Sequence, residues 1–88
     1  MTPEEAKALW PKIKAEIPEA IEHALAMMEH PPWDLRRLIE ARYLQGCEEF
    51  SGDWVGRDPQ WFRENADEEL ADLITYLAML RVRVHRKA

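Results

Sequence analysis

The residue types best placed to do chemistry are two carboxylates, Glu69 and Asp72, in the run Glu68-Glu69-Leu70-Ala71-Asp72-Leu73. On a helix, residues three apart are neighbours on one flank. Two such carboxylates beside a helix interface can hold a hard cation such as Mg2+ if a facing helix supplies further oxygen ligands. At about 100° per residue, Glu69 falls at the margin of a leucine seam, Asp72 further round, and Glu68 toward water. Upstream acids on other helical segments include the adjacent Glu48 and Glu49, and a more distant pair is Glu19 and Glu22. The ordinary role of acids in this position is also available to Glu69 and Asp72. Early in a helix they stay solvated and complement its positive end.

A second set is Trp54, Arg57 and Trp61, which bracket the loop Ser51-Gly52-Asp53-Trp54-Val55-Gly56-Arg57. An indole can stack on a nucleobase while a guanidinium meets phosphate, which makes these three the candidate nucleotide-binding residues. The structural alternative is that Trp61 and Phe62 close the end of a helical bundle and Trp54 pins the loop against it. His23 and His30 lack the Glu-x-x-His spacing of a helical di-iron site. Cys47, the sole cysteine, has no partner for a disulfide or a paired-thiolate zinc site and reads as a small hydrophobe.

The elements that must position these groups are helices. Thr2-Pro3-Glu4-Glu5 combines a capping hydroxyl, a proline suited to the first helical position and two acids at the positive end. Ala6, Leu9, Ile13, Ile17, Ile21, Leu25 and Met28 then recur at helical spacing. Pro11 and Pro18 predict a kink or a break, with a second helix starting at Pro18 as one option. A further helix is expected from Asp34, its cap, to about Phe50, with Leu35, Leu38, Ile39, Tyr43, Cys47 and Phe50 on one face. Asp58 and Pro59 open the last, where Ala66, Leu70, Leu73, Leu77, Leu80 and Val84 form a heptad seam. Arg81, Arg83, His85, Arg86 and Lys87 place positive charge at its negative end. No strand alternation and no internal repeat is present.

Composition narrows the class. At 10.4 kDa, with 47% hydrophobic and 33% charged residues, the chain reads as a single helical domain over 1–88, with helices about 3–29, 34–50 and 59–86. The expected fold is all-α, a three- to four-helix antiparallel bundle with the first helix kinked or broken at its prolines. A net charge of −5 argues against phosphate-backbone binding and hence against a nucleic-acid partner. There is no apolar run of about 18 residues to span a membrane. The polar, acidic opening MTPEEAKALW is not a signal peptide, so a cytoplasmic protein is expected. The long last seam exceeds what so small a domain can cover, which predicts completion by a homodimer.

The run ENADEELADLITYLAML resembles the E-x-x-D helix of the MazG-like, all-α nucleoside triphosphate pyrophosphohydrolases. Members of that family are helical and usually dimeric or tetrameric. They hold magnesium between an E-x-x-E pair on one helix and an E-x-x-D pair on the next, and release a nucleoside monophosphate and pyrophosphate. The resemblance implies Glu69 and Asp72 as metal ligands and catalytic groups, with Glu48 joining them and Glu49 as a further ligand. It covers about 17 of the 88 residues. Glutamine, Gln45, stands where the first acid of E-x-x-E is expected, in Gln45-Gly46-Cys47-Glu48.

Two functions follow. One is a small MazG-like protein that binds a nucleotide through carboxylate-held Mg2+ and hydrolyses the triphosphate. The other is a non-catalytic helical interaction module that binds a protein partner, as small phage and mobile-element proteins bind host proteins.

Overall fold

The helix start at Thr2 forms as a reciprocal cap. The Glu5 N–H donates to the Thr2 hydroxyl at 3.1 Å, and the Thr2 N–H donates to the Glu5 carboxylate at 3.2 Å. The computed structural model describes residues 1–87, and the side chains of residues 1–85. From this cap α1 (Pro3–Ala8) runs for six residues and stops at Leu9, whose N–H turns back to the Ala6 carbonyl at 3.1 Å. Helix α2 (Trp10–Glu29) follows at once, with Pro11 in its first turn, where no intrahelical donor is needed. The break therefore falls at Leu9 and not at Pro18, which lies inside α2. The helix continues through that lost hydrogen bond into Ala20 and Ala24, which are buried against another helix.

Asp34 takes the position before α3 (Leu35–Phe50), but its side chain makes no capping hydrogen bond. The first turn closes instead through the Leu35 N–H to Pro32 carbonyl bond, 3.0 Å, and the Leu38 N–H to Asp34 carbonyl bond, 3.1 Å. Ser51 ends α3 at φ 55°, a conformation that favours glycine. A short 3-10 turn (Asp53–Gly56) leads to α4 (Pro59–Lys87). There Asp58 caps as the sequence implies, its carboxylate accepting from the Trp61 N–H at 3.0 Å.

The chain is all-α, with four α-helices and no strand among the described residues. No helix there is long and apolar enough to cross a membrane. Its packing centre is α2 against α4. Glu16 meets Arg81 and His85, while Ala20 and Ala24 pack with Leu77 and Ala78, so the two helices are antiparallel. Ala20 and Ala78 are fully buried. Alanines facing one another let the backbones approach closely, and Ile13, Leu73 and Ile74 fill the flanks.

The heptad seam of α4 is only partly used. Leu77 is buried and Leu73 half-buried, whereas Leu70, Leu80 and Val84 are exposed. Helix α3 packs against neither α2 nor α4 to any substantial extent. Its Leu35, Leu38, Ile39, Tyr43 and Phe50 all face solvent. The radius of gyration is 16.4 Å, against about 12 Å for a compact chain of this length.

Candidate functional site

Three places gather side chains with chemistry. The first is the flank of α4. Glu68, Glu69 and Asp72 are all exposed, and none is in an ion pair among the described residues. Glu48 and Glu49 are exposed on α3. Gln45 bridges its own helix, accepting from Arg42 at 3.3 Å and donating to Glu49 at 3.0 Å. Because α3 does not pack on α4, the structure leaves the two acid pairs on separate elements. Among the described residues, no three histidine, cysteine or acidic side chains converge as metal ligands.

The second place is the aromatic end of α3. The 3-10 turn, closed by the Val55 N–H to Gly52 carbonyl bond at 3.1 Å, carries Trp54 back onto α3. There its ring meets Tyr43 edge-on, with centroids 6.4 Å apart and planes at 67°. Tyr43, Phe50 and Trp54 bound an open cleft of about 210 Å³, with the half-buried Cys47 in its wall and Arg42 and Asp53 at its edge. Arg57 and Trp61 belong to a different contact: the Arg57 guanidinium lies 5.2 Å from the Trp61 ring centroid. Trp61 also meets Phe62 edge-on, with centroids 5.0 Å apart. The three residues proposed to grip a nucleotide thus divide, with Trp54 reaching from the 3-10 turn to Tyr43 of α3 and Arg57 stacked on Trp61 at the start of α4.

The third place was not singled out from the sequence. Arg81 Nε donates to Glu16 Oε2 at 2.6 Å, and His85 Nδ1 lies 2.9 Å from Glu16 Oε1. The Arg81 hydrogen bond holds the Glu16 carboxyl below its ordinary pKa; burial opposes this, and the charge of His85 adds to it. Lys12, Ala15 and Val82 complete an open groove of about 380 Å³ beside the pair. Arg81 and His85 had a sufficient explanation as cations at a helix C-terminus, so nothing in the sequence pointed to Glu16 as their partner. The available signal was an acid on the edge of the packed face of α2, one turn before Ala20.

Fold and sites together define a small all-α protein built on an antiparallel helix pair with an unpacked amphipathic helix between. No family model, no curated protein and no solved structure matches the chain.

Proposed function

We propose that the protein is a helical interaction module that works in assembled form, as a homodimer whose subunits complete one bundle. The observation that carries this reading is the apolar face of α3, where Leu35, Leu38 and Ile39 stay exposed and, among the described residues, neither α2 nor α4 packs against it to any substantial extent. The accessible surface is 7823 Å², whereas a folded monomer of this mass exposes about 5,400 Å². The excess, about 2,400 Å² per chain, corresponds to about 4,800 Å² over two copies, within the range of obligate dimers. Sedimentation across a concentration series tests it. The expected result is a dimer at micromolar concentration, and a monomer that keeps full helicity at all concentrations would overturn it.

A second reading is favoured by one observation of its own. Glu69 and Asp72 lie a helical turn apart, exposed and without a cationic side chain among the described residues. In that reading the protein is MazG-like, binding a nucleoside triphosphate with Mg2+, and further ligands such as Glu48 and Glu49 must reach this flank from a second copy. Calorimetry with Mg2+ or Mn2+ and a panel of deoxynucleotides, followed by pyrophosphate release, separates it from the first. Binding of metal and nucleotide abolished by Asp72→Asn supports it. Absence of metal binding at millimolar concentration removes it.

A further inference from the structure

The open face of α3 carries both signs of charge, in a definite order along the helix. At about 100° per residue, Leu35, Gly46 and Ile39 lie at its centre and Leu38, Arg42 and Glu49 along one edge. Phe50, Tyr43, Arg36 and Cys47 lie along the other, where Glu40 follows Arg36 by one turn, so that edge has one charge of each sign. On the first edge Gln45 joins the charges into a row. Its amide oxygen accepts from Arg42 at 3.3 Å, and its amide nitrogen donates to Glu49 at 3.0 Å. The row Arg42–Gln45–Glu49 is its own complement when reversed: an antiparallel copy sets carboxylate against guanidinium at both ends and amide against amide between them. A parallel copy in the same register sets like charges together, which repel. The shape of the face agrees. Gly46 has no side chain, a Cβ there would meet nothing of its own chain within 4 Å, and it opens the cleft between Tyr43, Cys47, Phe50 and Trp54. Ile39, 59% exposed, stands about two turns before it on the same face.

We propose that the occupant of the α3 face is the α3 of a second copy, packed antiparallel about a two-fold axis that passes between Gln45 and Gly46. The inference rests on the homodimer reading and adds which surfaces meet. A two-fold interface requires one patch to recognise itself, and the reversed row of Arg42, Gln45 and Glu49 meets that requirement. Arg42 of each copy lies beside Glu49 of the other, on the same edge of the contact. Ile39 of each copy reaches Phe50 of the other, at the mouth of the apolar cleft. A guanidinium–carboxylate pair suits such an edge, since it fixes orientation as well as adding attraction. Glu49 is here engaged by arginine, so assembly requires no divalent cation.

Two charge reversals test the pairing, Arg42→Glu and Glu49→Arg. Both positions are exposed, and helicity measured by circular dichroism verifies that each variant folds. Each alone sets like charges across both contacts, and its dimer dissociation constant is expected to rise at least about tenfold. Mixing the two variants restores opposite charges at both contacts, so a heterodimer of near wild-type affinity is expected by sedimentation. A role confined to the row within one helix gives no such rescue, because each chain in the mixture still carries its own defect. Gly46→Leu supplies a better helix former and fills the crossing point, so it is expected to keep helicity while weakening the dimer at least about tenfold. If the wild type dimerises but these variants do so equally well, or if mixing restores nothing, the antiparallel α3 pairing is overturned while the homodimer reading stands. A monomeric wild type overturns both. Wild-type dimerisation that depends on Mg2+ and is lost in EDTA would also overturn the arginine–glutamate pairing.

Discussion

Glu16 and Arg81 stand 65 positions apart in the chain and 2.6 Å apart in space, joined carboxylate to guanidinium across the α2–α4 pair. Helices that meet through alanines have shallow ridges, and a slide of one turn would cost such a face little in burial. A long-range ion pair with one good geometry, flanked by His85 on the same carboxylate, fixes the register that Ala20 and Ala78 alone would hold loosely. With the Arg81 side chain about one-third exposed (32%), solvent screens the pair, and its value lies in specificity as much as in stability.

This pair gives stability a pH dependence of known sign. The Glu16 pKa is lowered in the folded chain from its usual 4.5, so its contribution is complete above the unfolded value. It is lost as pH falls through the lowered folded value. Glu16→Gln should therefore melt below the wild type at pH 7, and the gap between the two should close on acidification below the ordinary carboxylate range. Thermal unfolding of both proteins from pH 7 to pH 3 measures it. A gap that stays constant across that range would show that the carboxylate's charge is not what joins the helices.

What was legible in the sequence was local. Thr2 and Asp58 cap their helices because an oxygen three residues before a free N–H has one productive geometry, visible in the pattern alone. The heptad seam of α4 was equally plain, yet periodicity says that a face is apolar without saying what covers it. The seam is shared between α2, which buries Leu77, and solvent, which meets Leu80 and Val84. Pro18 illustrates the opposite failure, since its local penalty is real but the packing of Ala20 and Ala24 carries α2 through it. Glu16, Arg81 and His85 were illegible as a cluster because their meeting depends on the antiparallel pairing of helices far apart in the chain. For Glu48, Glu49, Glu69 and Asp72, spacing within each helix could be read, but the distance between the helices could not.

The alanines at the α2–α4 contact set a second expectation. Ala20 is fully buried and Ala24 nearly so. A larger side chain there has no space to enter without parting the helices. Ala20→Leu should destabilise by about 1–3 kcal/mol through overpacking. Leu77→Ala, at a buried position on α4, should cost about 2–5 kcal/mol through the cavity it leaves. Urea unfolding should report both as lowered midpoints with an unchanged slope. An Ala20→Leu variant as stable as the wild type would mean that the helix pair is not held at alanine distance.

Helix α3 uses glycine where alanine would fit and serine where glycine fits better. A Cβ added at Gly46 would meet nothing within 4 Å, so Gly46→Ala should stabilise the helix by about 0.5–1 kcal/mol through reduced backbone entropy. Ser51, at φ 55°, stores strain that glycine relieves, and Ser51→Gly should gain about 1 kcal/mol. Amide hydrogen exchange along residues 42–51 resolves both effects locally, as slower exchange in each variant. If Ser51→Gly speeds exchange, the lost side-chain contact outweighs the relieved backbone.

The aromatic end of α3 makes the last prediction, because its two contacts separate the roles of the tryptophans. Trp54 is fixed by the edge of Tyr43, while Trp61 is covered on one face by Arg57 and met at its edge by Phe62. An aromatic pair of this geometry contributes about 0.5–1.5 kcal/mol beyond burial. Trp54→Ala should therefore remove near-ultraviolet circular dichroism and loosen the C-terminal turn of α3, with little effect on the α2–α4 pair. Arg57→Ala should leave that signal intact and expose the Trp61 ring, seen as increased quenching by a neutral quencher such as acrylamide. The same two variants bear on the nucleotide reading. If a nucleobase stacks on these indoles, deoxynucleotides with Mg2+ should quench wild-type fluorescence and should fail to do so in the variant whose indole is the platform. If neither variant alters a nucleotide response that the wild type displays, the base sits elsewhere. If the wild type gives no response at millimolar nucleotide, both aromatic contacts are structural, holding the loop and the two helices it joins.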